Sequence, residues 1–541
     1  MLPLALLWLA ALMTVLWVRP LFPVDETRYA AVAWEMWSQG RWLVPHLNGE
    51  PYPDKPPLLF WLIHLGWLLT GVNEWWPRLL PALFGLLNLV LTAHLARLLW
   101  PQQPQAARLA PWILFGSGLW LWLHTPLQFD MPLAAGVLLA LIGVLRAAHG
   151  ARHGAWLCGL GLGLGMLAKG PVALVPVLPA ALLAPVWLHA GPPHGWLRWY
   201  AGVLGAVLLG AVLALAWALP AAVAGGAEYR QAILWEQSAG RMIESFAHRQ
   251  PWWWYLPWLA VILLPWSLWP RLWRAARDAA RAPADTGLRF CLAWLLPALL
   301  VFSLISGKQL KYLLPLAPGF ALLAAAVLSR QAQRRATLRL PGVALAVFGA
   351  FVAAAPWVYR DLWWVAQAHP GWGAALVAAG IAVTLQRPVT QAAAVRTAVL
   401  GMVLVLMLGH LGLVRLLAPA YDVTEASRLV GRFQEQGRAA ANLGVYHGQF
   451  HFAGRLTHPV TEIATADSEE ARAWAAANPA GYVVAYHREW GGTAVPEAVH
   501  AQPYRNGGLI LWRAETILKH PHYLDAGSWP GVVMSEEQGI H

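Results

Sequence analysis

Two blocks of ionisable residues, each set among apolar runs, could carry chemistry: Val24-Asp25-Glu26-Thr27-Arg28-Tyr29 and Pro53-Asp54-Lys55-Pro56-Pro57. Charged groups beside a bilayer are costly unless they are paired, hydrated or bound to a ligand. Acids and bases crowded there therefore point to work on a charged substrate. A carboxylate at Asp25 or Glu26 could take a proton from an acceptor or stabilise positive charge developing at a sugar carbon. The competing role for Asp25 is to cap a helix over residues 27–36, with Ala30, Ala33, Trp34 and Trp37 on its apolar side. Lysine is scarce: Lys55, Lys169, Lys308, Lys311 and Lys519 are the whole set. The first four fall in short connections that alternate with Arg-rich ones. A lysine ammonium is a compact point charge suited to phosphate, so these connections read as the walls of a phosphate-binding pocket.

The elements that must position these groups are membrane helices. Hydrophobic residues make up 58% of the 541, charged residues only 12%, and the mean hydropathy is +0.49. Repeated apolar runs approach the ~20 residues needed to cross a hydrocarbon core. Candidate spans lie near 2–20, 77–99, 107–125, 129–148, 155–169, 171–190, 200–223, 252–272, 288–306, 311–329, 341–358, 372–386 and 395–418, about thirteen in all. The opening run has no basic segment before it and is followed by Arg19-Pro20, so it reads as a retained helix and not a cleaved signal. The net charge of +12 is not a nucleic-acid signal. It is mostly Arg in alternate connections (Arg97, Arg108, Arg146, Arg152, Arg198, Arg271, Arg274, Arg277, Arg281, Arg330, Arg334, Arg335, Arg339), which the positive-inside rule places in the cytoplasm. Asp25, Glu26, Asp54, Lys55, Asp130, Lys169, Glu236, Arg241, Lys308 and Lys311 then fall on the outer face. Cys158 and Cys291 lie in apolar runs and offer neither a disulfide framework nor a metal pair.

Domain organisation follows from a change in composition. Residues 1–419 read as the membrane domain, with a first outer loop at 21–76, and 420–541 as a small extramembrane α/β domain. In the latter, 424–440 and Ser468–Ala477 read as helices, and 442–446, 481–486 and 508–512 as strands. Tyr446, His447 and His451 read as an exposed strand edge, and the isolated His94, His124 and His410 as structural. Gly161-x-Gly163-x-Gly165 reads as close helix packing. The Trp252-Trp253-Trp254 cluster reads as an interfacial belt.

The first loop carries a more specific likeness. Asp25-Glu26-Thr27-Arg28-Tyr29-Ala30, then Gly40-x-Trp42-x-Val44-Pro45-His46, then Asp54-Lys55-Pro56, resembles the first outer loop of the protein O-mannosyltransferase superfamily, in its bacterial lipid A aminoarabinose transferase branch. Ala168-Lys169-Gly170-Pro171, His248-Arg249-Gln250-Pro251-Trp252-Trp253-Trp254-Tyr255 and Gly307-Lys308-Gln309-Leu310-Lys311-Tyr312 fit the same pattern. The resemblance covers roughly residues 1–330. It implies a polytopic α-helical membrane protein of the C-type glycosyltransferase (GT-C) fold that takes a sugar from a polyprenyl-phosphate donor at the outer face of a bacterial inner membrane. Asp25 matches the central acidic residue, and Arg28, Lys55 and Tyr312 match positions at the lipid phosphate. Lys169 and Asp130 match a lysine and a second acidic residue lining the cavity. Glu26 completes the acidic set, and Arg241, Lys308 and Lys311 are further candidates for the donor phosphate. Asp54 stands at a position implicated in metal binding, but Gln237 stands where its histidine partner is expected. A divalent metal is therefore only a conditional cofactor, since one carboxylate is a weak site.

Expected partners are the polyprenyl-phosphate sugar and an acceptor that is lipid A, another glycan or a protein hydroxyl, with the chain acting as a monomer and without nucleic acid. A lipid or glycan flippase is the rival class. It would be expected to show repeated halves and broken helices at mid-bilayer depth, whereas this sequence shows no internal repeat and gathers its charges at one face.

Overall fold

The computed structural model describes residues 1–235, 249–282, 285–331, 334–360, 362–464, 468–487, 497–520 and 523. The chain divides into two compact units. One comprises Met1–Trp17, Pro53–Leu62 and Thr70–Leu413; the other comprises Val18–Tyr52, Ile63–Leu69 and Val414–His541.

The first unit is a helical membrane bundle. Among the described residues, eight helical stretches are long and apolar enough to cross a bilayer, including Trp75–Leu99, Asp130–Ala148, Gly195–Ala224 and Thr286–Leu304, and Leu2–Val18, Leu58–Thr70 and Gly371–Leu385 are shorter apolar helices. The expected spans differ from these in several places, and the expected pair 155–169 and 171–190 is one continuous stretch, Gly154–Leu182. Leu58–Thr70 is a helix inside the region read as the first loop. The expected span 107–125 is broken into Pro104–Phe115 and Gly118–Leu123. The expected span 252–272 is broken at Leu263–Trp269, between Tyr255–Ile262 and Pro270–Arg281. The two breaks satisfy each other: Gly118 N donates to Leu264 O at 2.9 Å, and the Trp266 indole donates to Ile113 O at 2.9 Å and Ser117 Oγ at 3.1 Å. Freed backbone groups at membrane depth must find such partners inside the protein; Pro265 lies within the second interruption, and Pro270 opens the helix that follows it.

Glycines bring the helices to backbone contact, as the Gly161–Gly165 run suggested. A Cβ on Gly161 would stand 2.4 Å from Ala140 N, and one on Gly143 2.3 Å from Cys158 N. The helices Arg339–Val358 and Gly371–Leu385 mesh in the same way through Gly349 and Gly373. Small-residue seams replace the hydrophobic driving force that lipid cannot supply. The isolated histidines are structural: His124 and His410 each bond a carbonyl one turn back at 2.8 Å, and His94 meets Arg146 at 3.2 Å.

The second unit joins most of the first loop to the C-terminal segment, which cuts across the linear split at 419. Its sheet is formed by β3 (Ala440–Leu443), β4 (Thr461–Ile463), β5 (Tyr482–His487), β6 (His500–Tyr504) and β7 (Gly507–Arg513), in the order β4-β3-β5-β7-β6. β3 pairs in parallel with β4 and β5, and β7 runs antiparallel to β5 and β6. β4 and β6 were not legible from the sequence. β4 is three residues long, and Pro503 lies in β6, which is tolerated because β6 is an edge. Thr424–Glu435 and Ser468–Ala477 are the expected helices.

The loop contributes the helix Asp25–Ser38 and a hairpin of β1 (His46–Leu47) and β2 (Glu50–Pro51). Both are bound to the C-terminal segment. The Trp34 indole donates to Leu456 O at 2.8 Å. Asn48 makes a two-way pair with the Val460 backbone at 2.9 and 2.7 Å. Trp67 stacks on Phe452 with centroids 5.6 Å apart, and Phe22 stacks on Tyr421 at 4.9 Å. Aromatic area buried this way dominates a small core.

Candidate active site

Asp25 does not cap its helix. It is itself the first helical residue, the N-cap is Val24, and no side chain caps that end. Its carboxylate instead meets Arg28 one turn on, with Arg28 Nη2 2.6 Å from Asp25 Oδ1 and both side chains partly exposed. Arg28 keeps a donor unused: its Nε is buried and has no hydrogen-bond partner among the described residues. Burial works against the guanidinium charge, but the Tyr52 and Tyr29 phenols and Asp25 outweigh it and raise the pKa above its ordinary value. The result is a fixed cation at the helix's first turn, where the dipole also favours an anion.

Glu26 is placed differently. It is buried, ion-paired with Arg19 and accepts from Phe22 N at 3.0 Å. Arg19 in turn lies over the Phe22 ring at 4.3 Å. The geometry ties this carboxylate into the entry to the loop helix.

His447, read from the sequence only as part of a strand edge, joins the Asp25 neighbourhood, and Glu35, which the sequence did not single out, anchors the hairpin further along the loop helix. His447 is half-buried, and its pKa is lowered to about 4 by burial and by Arg28 and Arg505, against a smaller opposing effect of Asp25. The turn that carries it lies directly on the loop helix: Gly448 has φ +75, and a Cβ there would stand 2.4 Å from Leu47 Cδ1 and 3.1 Å from Ala31 Cβ. Glu35, also buried, accepts from Gly49 N at 2.8 Å and so fixes the hairpin; its pKa is raised by burial. The sequence signal for His447 was its place in the Tyr446, His447 and His451 cluster. The expected exposed strand edge is corrected here: Tyr446 and His451 are buried, and Tyr446 Oη is 2.8 Å from His451 Nδ1.

In the membrane unit, Asp130 opens the helix Asp130–Ala148 and Lys169 closes the helix Gly154–Lys169. Their side chains meet at 2.5 Å, and Lys169 Nζ lies 4.7 Å from the Tyr312 ring centroid. This is a sequence-predicted trio brought together. Lys55 sits in the Asp54–Lys55 turn, with Nζ 3.2 Å from Asp54 O. Lys308 is buried, and its ammonium donates to Gln250 O at 2.8 Å and Ile305 O at 2.6 Å, which ties the Arg249–Gly307 bridge together. Its pKa is lowered by burial. Lys311 lies in the 3₁₀ turn Leu310–Leu316 beside Tyr312. Arg241, Glu236 and Gln237 lie outside the described residues. Among the described residues no three His, Cys, Asp or Glu side chains converge on a possible metal. Trp252 and Trp253 are exposed, as an interfacial belt requires.

A helical membrane bundle with a small mixed α/β segment is the architecture of the C-type glycosyltransferases, and the chain has that fold. The crystal structure of ArnT from Cupriavidus metallidurans bound to undecaprenyl phosphate matches it with a TM-score of 0.72 at 20% identity, over 94% of this chain and 96% of that one. The apo form of the same protein gives 0.71.

Residues 54–222 match the family model described as dolichyl-phosphate-mannose-protein mannosyltransferase. An undecaprenyl phosphate-alpha-4-amino-4-deoxy-L-arabinose arabinosyl transferase of Pseudomonas paraeruginosa is 35% identical over 352 residues, covering 62% of this chain and 61% of that protein. The protein of the same description from Pectobacterium atrosepticum is 34% identical, covering 61% and 60%. The chain thus spans about three fifths of the length of these relatives. The likeness to the protein O-mannosyltransferase superfamily, in its ArnT-like branch, is borne out.

Proposed function

We propose that the protein is an integral-membrane glycosyltransferase that moves a sugar from undecaprenyl phosphate to a lipid A-like acceptor at the periplasmic face of a bacterial inner membrane. The observation that carries this reading is the Asp25–Arg28 pair, in which a partly exposed cation retains a buried, unused Nε donor beside a carboxylate. The aminoarabinose relatives favour the lipid acceptor over a protein hydroxyl.

In the reaction the bond between the sugar's anomeric carbon and the donor phosphate oxygen breaks, and a bond to an acceptor oxygen forms. The departing phosphate carries developing negative charge. Arg28, paired with Asp25, supplies fixed positive charge for it, and such preorganised charge is worth most where water is excluded. Asp25 serves as the base when the acceptor is a hydroxyl and takes its proton. A phosphate acceptor is already ionised and needs only positioning. Asp130 holds Lys169 in place through the 2.5 Å contact. The undecaprenyl tail explains why such a catalyst is built from membrane helices.

The test is transfer by purified protein from undecaprenyl-phosphate-linked aminoarabinose to lipid A. Product with the wild type supports the assignment. Product on a protein acceptor alone, or movement of the lipid across vesicles without transfer, contradicts it.

A further inference from the structure

At the other end of the same helices lies a cavity that the reaction does not use. It opens where the C-terminal end of Asp130–Ala148 meets the starts of Gly154–Lys169 and Gly195–Ala224, and its volume is about 250 Å³. Arg146 is sixteen residues along the helix from Asp130, about 24 Å at the α-helical rise, so this cavity is separate from the acid–lysine pair.

The cavity has a packing cause. Deeper in the bundle the last two helices touch: a Cβ on Gly159 would stand 2.7 Å from Leu209, and one on Gly163 2.5 Å from Leu213. Toward the Arg-rich end they part. Gly202 has only Ala155 Cβ nearby, at 3.7 Å, and Gly205 has nothing within 4 Å. The floor of the resulting furrow is apolar, formed by Cys158, Trp199 and Ala206, and the lip carries Arg152, His194 and Arg198. The Trp199 indole N–H is already given to Ala181 O, so its ring offers only carbon to an occupant. Arg152 and Arg198 are exposed and make no ion pair among the described residues.

We propose that this cavity binds one anionic diacyl glycerophospholipid, its phosphate held between Arg152 and Arg198 and one acyl chain laid along the furrow past Gly202 and Gly205. Two guanidiniums above an apolar slot complement a headgroup attached to a hydrocarbon chain. The volume suits a headgroup; it falls below the ~300–1,000 Å³ of clefts that enclose larger ligands. Free phosphate would leave the apolar floor unfilled. The positive-inside rule assigns this end to the cytoplasmic leaflet, the opposite face from the proposed chemistry. The inference rests on the cavity and its charges and stands whether or not the transferase assignment does.

The test uses full-length protein in nanodiscs of phosphatidylcholine containing a minor fraction of phosphatidylglycerol, with retained lipid read by native mass spectrometry. Wild type should retain one phosphatidylglycerol in preference to phosphatidylcholine. Arg152→Gln/Arg198→Gln should lower that preference by about thirtyfold, the combined effect of two basic side chains at an anionic surface. Ala155→Trp, which fills the slot, should lose the retained lipid while both arginines remain. Circular dichroism in nanodiscs without phosphatidylglycerol should be the same for all three proteins. Equal phosphatidylglycerol retention by the double variant, or its displacement by millimolar inorganic phosphate, would overturn the proposal.

Discussion

At the scale of single residues, the pairs at helix ends separate into those that can act and those already occupied. Arg28 spends one nitrogen on Asp25 and keeps Nε unused, whereas Lys308 gives its ammonium to two carbonyls. Arg28→Gln should therefore lower transfer by about 10²–10³-fold, the loss typical of removing one fixed donor from developing charge. Lys308→Met should instead lower the thermal midpoint through loss of the Gln250–Ile305 tie. Asp130 and Lys169 are coupled. Removing one member of a buried pair leaves an uncompensated charge and costs about 3–5 kcal/mol, so Asp130→Asn should destabilise the detergent-solubilised protein more than Asp130→Asn/Lys169→Met does. Equal midpoints for the single and double variants would show that the contact is not maintained. The residue types at these positions were legible in the sequence because charge is scarce in an apolar chain. Which charges are satisfied was not, since the carbonyls that hold Lys308 lie 3 and 58 positions away.

At the scale of elements, the seam between the loop helix and the turn around Gly448 is the most sensitive part of the second unit. Gly448→Ala meets both a left-handed backbone and Leu47 Cδ1 at 2.4 Å, which should cost about 1–3 kcal/mol and increase proteolysis within 18–52 and 414–464 alike. The same unit should be acid-sensitive. His447, His451 and His487 each have a pKa lowered to about 4, with burial the first cause, from an ordinary 6.5. A lowered folded-state value means that the neutral form is favoured by folding. Their contribution is complete above about pH 6.5 and is lost as the pH falls toward 4. Tryptophan fluorescence of the protein between pH 7 and 4 should show this loss, and His451→Gln should flatten it. A profile independent of pH over that window would contradict the burial of these rings. Long apolar helices were read well from hydropathy. The broken ones were not, because Leu264 O and Gly118 N satisfy each other across 146 positions, a pairing that a linear window cannot detect.

At the scale of the whole molecule, the first loop and the C-terminal segment form one folding unit although some 360 residues separate them. Composition marked a boundary near 420 but could not show that Trp34, Asn48 and Trp67 bind the C-terminal segment. A chain ending at 413 should consequently expose the apolar side of the loop helix: residues 18–52 should become protease-sensitive while the bundle keeps its helical signal. Protection of that loop in the truncated chain would contradict the shared core. The account as a whole rests on chemistry at Asp25 and on charge at Lys55. Its most direct test is transfer from undecaprenyl-phosphate-linked aminoarabinose to lipid A, measured by mass spectrometry with purified wild type, Asp25→Asn and Lys55→Ala of matched fold. The account predicts product with the wild type and a loss of at least about 10²-fold in each variant; full activity in both would contradict it.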